Sequence, residues 1–231
     1  MTTATKVKKD TKTAIMDAAE LVMAEHGVDG ATINQIVSEA GANIAAIHYH
    51  FNSRDGLITA MLSRRGRSTS ERRLEMIREF DESGAAPTPM DVVRFLVDPM
   101  IELLEEQGEA GRHYLRFLAR LQSDRKGRLS GTAIQVQHEQ KYYPEIRERM
   151  RDLAGRACPD ISETELIERL TMVIDAMLQS FANAEFMSTE WEADEQQDEL
   201  ARYTMNLKSF LAGGLAAPAY KCADQNTTAK A

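Results

Sequence analysis

The twenty residues TINQIVSEAGANIAAIHYHF, Thr32 to Phe51, leave few folds open to the chain that carries them. Thr32 is an N-cap by residue type, and Gln35 three positions on completes a capping-box pattern. Ile33, Ile36, Val37 and Ala40 follow on one face at helical spacing. Gly41 comes next, where a tight turn asks for positive φ at little steric cost. Asn43 is a second N-cap, and Ile44, Ile47 and Phe51 form the inward side of a second short helix. Two short helices crossing at a glycine turn make a helix-turn-helix, whose second helix is of a size that enters the DNA major groove.

With that inward side fixed, a 100° step per residue turns Ala45, Ala46 and Tyr49 outward and leaves Asn43 and His48 on the flanks. Asn43 is the direct base reader by chemistry, since a carboxamide pairs bidentately with adenine. Its other reading is a cap alone. The alanines offer methyl contact to thymine or let the helix sit close. Tyr49 is suited to hold a phosphate, which positions without reading sequence. Thr32 and Arg54 each open a helix, where free N–H groups also attract phosphate. His50 reads equally as a residue packed on the first helix. Lys6, Lys8, Lys9 and Lys12 make an arm for a flanking minor groove, or a solvated tail.

At this point the chain resembles a known family. The run Ile15 to Leu57 is similar to the DNA-binding domain of the tetracycline-repressor (TetR) family of bacterial transcription regulators. The matching pieces are AAELVMAEHG at 18–27, ATINQIVSEAG at 31–41 and IHYHFNSRDGL at 47–57, in order and at the right spacing. One departure is visible, because the family usually has tyrosine where His48 stands. The resemblance implies phosphate contacts at His48 and His50 beside Tyr49. It also implies a homodimer, a double-stranded DNA operator with palindromic half-sites, and a small-molecule effector that releases the DNA. Repression is then the default mode; the compartment expected from composition, with neither a signal nor a membrane segment and only two distant cysteines, is the cytoplasm.

The formal charge of −8 looks wrong for a DNA binder until it is divided. Residues 1–70 hold eight Lys or Arg against seven Asp or Glu, a balance of +1, and the remainder holds 20 against 29, a balance of −9. Phosphate repels the acidic part, which is therefore expected to face away from DNA.

The periodicity is helical throughout, so the fold class expected is all-α. A three-helix helix-turn-helix domain spans 1–52, a larger helical ligand-binding and dimerisation domain 53–213, and a small, polar, disordered tail 214–231. The first helix runs from about Asp10 to His26 and ends at Gly27. Ser53 caps a fourth helix that reaches about Phe80, and ESGAAPTP at 82–89 is a linker. Helices follow at about 90–107 with Pro99 inside, at 110–123, at one segment ending near Pro144, and at PEIRERMRDLAGRA. Ser162 and Glu165 open a helix to about Ser188, and the last one covers 193–212, stopping at Gly213-Gly214.

The larger domain has two tasks. Candidate pocket walls are Phe95, Met100, Leu103, Leu104, Tyr114, Phe117 and Leu118, and twelve methionines suit an adaptable apolar cavity. The candidate dimer interface is Leu170, Val173, Ile174, Met177, Phe181, Leu207 and Phe210, two apolar bands that would pair with their copies as a four-helix bundle. Both bands read equally as packing within one subunit. Arg112, Arg116 and Arg120 form a stripe at i, i+4, i+8, either a solvated face or a contact for an anionic ligand such as a fatty acid.

Other chemistries find no pattern. His48 and His50 are two apart on a helix and point roughly 200° apart, so they do not share a metal. His138-Glu139 lacks a third ligand, and no phosphate loop, nucleophile elbow or paired carboxylate is present. No catalytic residue, metal or cofactor is expected. No apolar run reaches the roughly 18 residues of a membrane helix, the lysine-bearing N-terminus has no apolar segment behind it, and Cys158 and Cys222 frame no disulfide scaffold. Two rivals remain. One is a helical small-molecule-binding protein or enzyme whose helix-turn-helix has lost its function, the other a sequence-blind DNA binder.

Overall fold

The computed structural model describes residues 10–123, 143–183 and 193–219, with 193–197 as backbone only. Every regular element among them is an α-helix. In chain order these are α1 (Thr11–His26), α2 (Ile33–Glu39), α3 (Ile44–Phe51), α4 (Arg54–Glu82), α5 (Pro89–Gln107), α6 (Glu109–Ser123), α7 (Pro144–Ala157), α8 (Glu163–Ala182) and α9 (Ala193–Leu215). None of them is long and apolar enough to cross a membrane.

Side-chain caps set most of the helix starts. Asp10 Oδ1 accepts from the N–H groups of Lys12 and Thr13 to begin α1. Ser53 Oγ accepts from Gly56 N at 3.0 Å to begin α4. A full Thr88/Asp91 capping box with Pro89 in the first turn starts α5 one residue earlier than the expected Met90. Ser162 caps α8 by accepting from Glu165 N, while the Glu165 carboxylate pairs with Arg169 at 2.7 Å.

Two helix ends differ from expectation. α8 stops at Ala182, not Ser188. α9 continues through Gly213 and Gly214 to Leu215, because Arg169 on α8 donates to the carbonyls of Leu215, Ala217 and Pro218. Those are the acceptors a helix C-terminus leaves without donors. The helix expected before Pro144, the residues Lys6, Lys8, Lys9, His138 and Glu139, and the tail beyond residue 219 lie outside the described residues.

One apolar core runs through both parts. Ile15, Ala19 and Met23 of α1 pack with Ile36, Ile47, Leu57, Ile58 and Met61, all fully or nearly fully buried. α6 lies against α1 on one side and α8 on the other, and buries Leu115, Phe117 and Leu121 completely. Each such side chain contributes about 1.5–3 kcal/mol of transfer free energy. The reader helices are thereby seated on the rest of the helical body.

Candidate nucleic-acid interface

Local hydrogen bonds set where α2 and α3 begin and end, and burial of Ile36, Ile47 and Phe51 holds such short helices in place. Thr32 Oγ1 accepts from Gln35 N at 3.2 Å while Gln35 Oε1 accepts from Thr32 N at 2.8 Å, closing the capping box. Gly41 has φ +60° in the turn, the left-handed value its position demands. Asn43 Oδ1 accepts from Ala46 N at 2.9 Å and starts α3. Asn52 ends it at φ 66°, a conformation asparagine tolerates better than most residues. Ile47 and Phe51 are buried, and Tyr49 stands 86% exposed at the tip of the outward side, its ring edge-on to His50 at 4.9 Å.

Around Tyr49 the face consists of exposed Ala45 and His48 and half-buried Ala46 and His50. His48 Nδ1 lies 3.3 Å from the Asn52 carbonyl oxygen, which leaves Nε2 outward. The Asp10 carboxyl that caps α1 is held below the usual carboxylate range, chiefly by the hydrogen bond from the Thr13 hydroxyl and then by the Lys12 N–H. Both oxygen-bearing caps are engaged: bidentate pairing of Asn43 with adenine would need its cap bond released. Thr32 Oγ1 already donates to Gln35 Oε1 at 2.7 Å.

Two expectations on this face are corrected. Arg54 does not reach outward. Its guanidinium turns back and donates to the carbonyls of Val28, and of Ala31 at 3.2 Å, in the loop between α1 and α2. Ile44, placed on the inward side by periodicity, is 47% exposed. It is the first residue of α3, at the end of the side that Ile47 and Phe51 bury.

Behind the reader lies a charged joint. Glu20 on α1 is 1% exposed and is held by two arginines of α4. Arg64 Nη2 reaches it at 2.7 Å and also binds Asp17 at 2.8 Å through Nη1. Arg65 makes a forked contact, with Nε at 3.0 Å and Nη2 at 2.9 Å from Glu20 Oε2. Burial works against the Arg64 charge, yet the Glu20 and Asp17 carboxylates hold its pKa above the ordinary value. The Arg65 guanidinium carbon also sits 5.8 Å from the centroid of the Tyr114 ring, a cation–π contact.

Tyr114 is part of the wall of a cavity of about 360 Å³ between α4, α5, α6, α7 and α8. Its hydroxyl and that of Tyr143 converge over Gly66, 3.6 and 3.9 Å from where a Cβ would stand. Of the expected walls, Met100, Tyr114 and Leu118 line this cavity, whereas Phe95, Leu103, Leu104 and Phe117 are buried core outside it. The remaining lining comes from α7 and α8, including Ile146, Met150, Leu170, Ile174 and Met177.

Comparison with known proteins bears on both halves. The profile described as "Bacterial regulatory proteins, tetR family" matches residues 15–61, and "Tetracyclin repressor-like, C-terminal domain" matches 94–214, more than half of the chain. The chain belongs to the tetracycline-repressor family. A relative from Pseudomonas putida, the uncharacterized HTH-type transcriptional regulator TtgW, is 39% identical over 57 residues, 25% of this chain and 42% of its own length. Two solved structures share the fold. A mutant of HlyIIR aligns at TM-score 0.54 and 16% identity over 93% of this chain and 100% of its own. A putative TetR-family transcriptional regulator from Rhodococcus sp. aligns at 0.52 and 15% over 89% and 96%.

As a TetR-family member the chain is a DNA-binding transcription regulator in its coarse function, built all-α with an N-terminal helix-turn-helix. Its remaining candidate residues are distributed otherwise than expected. Val173, Met177, Phe181 and Leu207 are buried within the subunit, and Leu170, Ile174 and Met177 face the cavity. Of the seven residues assigned to a dimer interface, Phe210 alone is exposed, at 74%, and the outward surface of α8 and α9 carries Met172 and Met205 instead. The apolar bands are wide because they meet α5, α6 and the cavity; periodicity identifies a band without naming what covers it. Arg116 and Arg120 line a smaller, polar cleft of about 270 Å³ between α1, α6 and α8, beside Glu25 and His113. There Arg116 Nε donates to the Ala182 carbonyl at 3.2 Å. Arg112 is outside this lining, and none of the three reaches the apolar cavity.

Proposed function

We propose that this chain is a ligand-responsive repressor that binds a palindromic operator as a homodimer in the cytoplasm and lets go when a small molecule enters the cavity behind α4. The observation that carries the reading is the pair of caps and the glycine turn that hold α3 with Tyr49 fully outward. That geometry favours a working reader over a relic of the fold. Tyr49 and His48 hold phosphates at the groove edge, and Ile44 and Ala45 lie over the bases. Two copies pair through the outward surface of α8 and α9, around Met172, Met205 and Phe210, and set their readers about 34 Å apart. The −9 balance beyond residue 70 faces away from the duplex.

Release follows from population shift. A ligand pressing on Tyr114 displaces the ring beneath Arg65, and Arg65 is half of the clamp on Glu20 of the reader. An arrangement in which α4 swings relative to α1 spoils the spacing of the two α3 helices. Emptying an operator from nearly full to nearly vacant requires a preference of roughly 10⁴-fold for that second arrangement.

The test is selection of bound sequences from random duplex DNA with the purified chain at near-physiological salt. The expected result is one palindromic site. Tyr49→Ala weakens binding to it about tenfold to a hundredfold, the worth of a hydrogen bond to a charged group. The salt dependence stays unchanged, since a neutral phenol releases no counterion. Recovery of no common sequence refutes the reading and leaves a sequence-blind grip.

A further inference from the structure

The cavity behind α4 is apolar over most of its wall, yet its charged members are all of one sign. Arg73, Arg147 and Arg151 line it, and no Asp or Glu does among the described residues. Their engagements differ. Arg73 Nε donates to the Phe95 carbonyl at 2.7 Å. Arg151 Nη1 lies 3.7 Å from Glu163 Oε1, a loose pair at the surface. Arg147 has no carboxylate within ion-pair distance among the described residues. Arg147 and Arg151 are four apart on α7 and so share one edge of the opening, with Arg73 facing them from α4.

We propose that this cavity takes an amphipathic organic anion, an aliphatic body with one acidic head. This rests on the reading of the same cavity as the effector site and names the class of effector. The body lies among Leu96, Met100, Leu118, Ile146, Ile174 and Met177, and the head meets Arg147 at the mouth with Arg151 beside it. Tyr114 and Tyr143 present their hydroxyls to the middle of the molecule above Gly66. Among the described residues three arginines and no carboxylate line this space, with Glu163 at its rim beside Arg151, and that excess of positive charge attracts an acidic head and repels a cation. The volume of about 360 Å³ falls at the lower end of the roughly 300–1,000 Å³ range of small-molecule sites, which suits a medium-length chain.

The experiment is calorimetric titration of the full chain with straight-chain carboxylates of six to fourteen carbons, the matching alcohols and decyltrimethylammonium. At least one carboxylate binds tenfold or more tighter than its alcohol, the ammonium binds weakest, and added salt narrows the difference. Arg147→Gln, a surface change that leaves the core intact, lowers carboxylate affinity about tenfold to a hundredfold and leaves the alcohol where it was. Ile174→Trp, which fills the cavity, abolishes both. Equal affinity for acid and alcohol, no binding by any carboxylate, or an Arg147→Gln variant that binds as the parent overturns the proposal. So does an Ile174→Trp variant that folds and still binds. Titration of the selected operator complex separates the two readings: a carboxylate that binds without loosening DNA refutes the effector role and leaves the ligand class standing.

Discussion

Arg73 on α4 donates its Nε–H to the carbonyl oxygen of Phe95, the acceptor that Pro99 four residues later leaves without an intrahelical donor. A defect that one helix carries for sequence reasons is thus met by a side chain of another. Arg73→Ala strands a buried carbonyl and is expected to destabilise the fold by about 1–3 kcal/mol. Adding Pro99→Ala restores the intrahelical donor, so the double variant recovers part of the loss. A double-mutant cycle in urea that gives simple additivity sinks this account.

Glu20 is the negative member of the joint between α1 and α4. Glu20→Gln keeps the shape and removes the charge, taking the carboxylate from Arg65 and leaving Arg64 with Asp17 alone. The expected cost is about 3–5 kcal/mol in thermal or denaturant unfolding, as for one partner lost from a buried ion pair. A variant within about 0.5 kcal/mol of the parent would show that the arginines rehydrate freely.

Gly41 and Gly56 separate two ways in which a glycine becomes obligatory. At Gly41 a Cβ would meet nothing within 4 Å, so Gly41→Ala carries only the left-handed backbone penalty of about 1–2 kcal/mol at φ +60°. At Gly56 a Cβ would stand 2.0 Å from the Phe51 carbonyl oxygen, so Gly56→Ala must push α3 away from α4. Gly41→Ala should retain DNA binding once stability is allowed for, and Gly56→Ala should lose it. Equal effects of the two on the selected operator would contradict the assignment.

Burial pushes the Cys158 thiol above its ordinary pKa of 9.0, with Arg169 pulling weakly the other way. A raised folded-state value means that this group's contribution to stability is whole below pH 9 and is lost as pH climbs through the folded pKa. In a Cys222→Ser background, iodoacetamide should leave the folded chain unmodified at pH 8 and react after unfolding. Rapid labelling of the folded chain at that pH would contradict it.

What the sequence disclosed and what it withheld divide by range. Thr32, Gly41, Asn43 and Ser53 act on neighbours three or four residues away, so their identity and spacing sufficed to mark the reader and to turn Tyr49 outward. Arg54, Arg73 and Arg169 each end on carbonyls of another segment, and nothing local to them announces which. The band of α8 was visible, but whether Met177 meets a second subunit, α6 or a cavity depends on how several helices cross. Ile44 shows the limit within one helix, since period places a residue on a side while the neighbour's edge determines its exposure.

The Glu20 clamp bears on how regulators of this build exchange parts. A segment cut at residue 52 would take a buried carboxylate with it and leave both of its arginines behind, together with Leu57, Ile58 and Met61 that close the core over α1. The reading head is therefore not a cartridge that ends where its last short helix ends. A hybrid that grafts this head onto another sensor needs its seam beyond Arg65, or a second body that brings its own pair of cations to the same turn of its connecting helix.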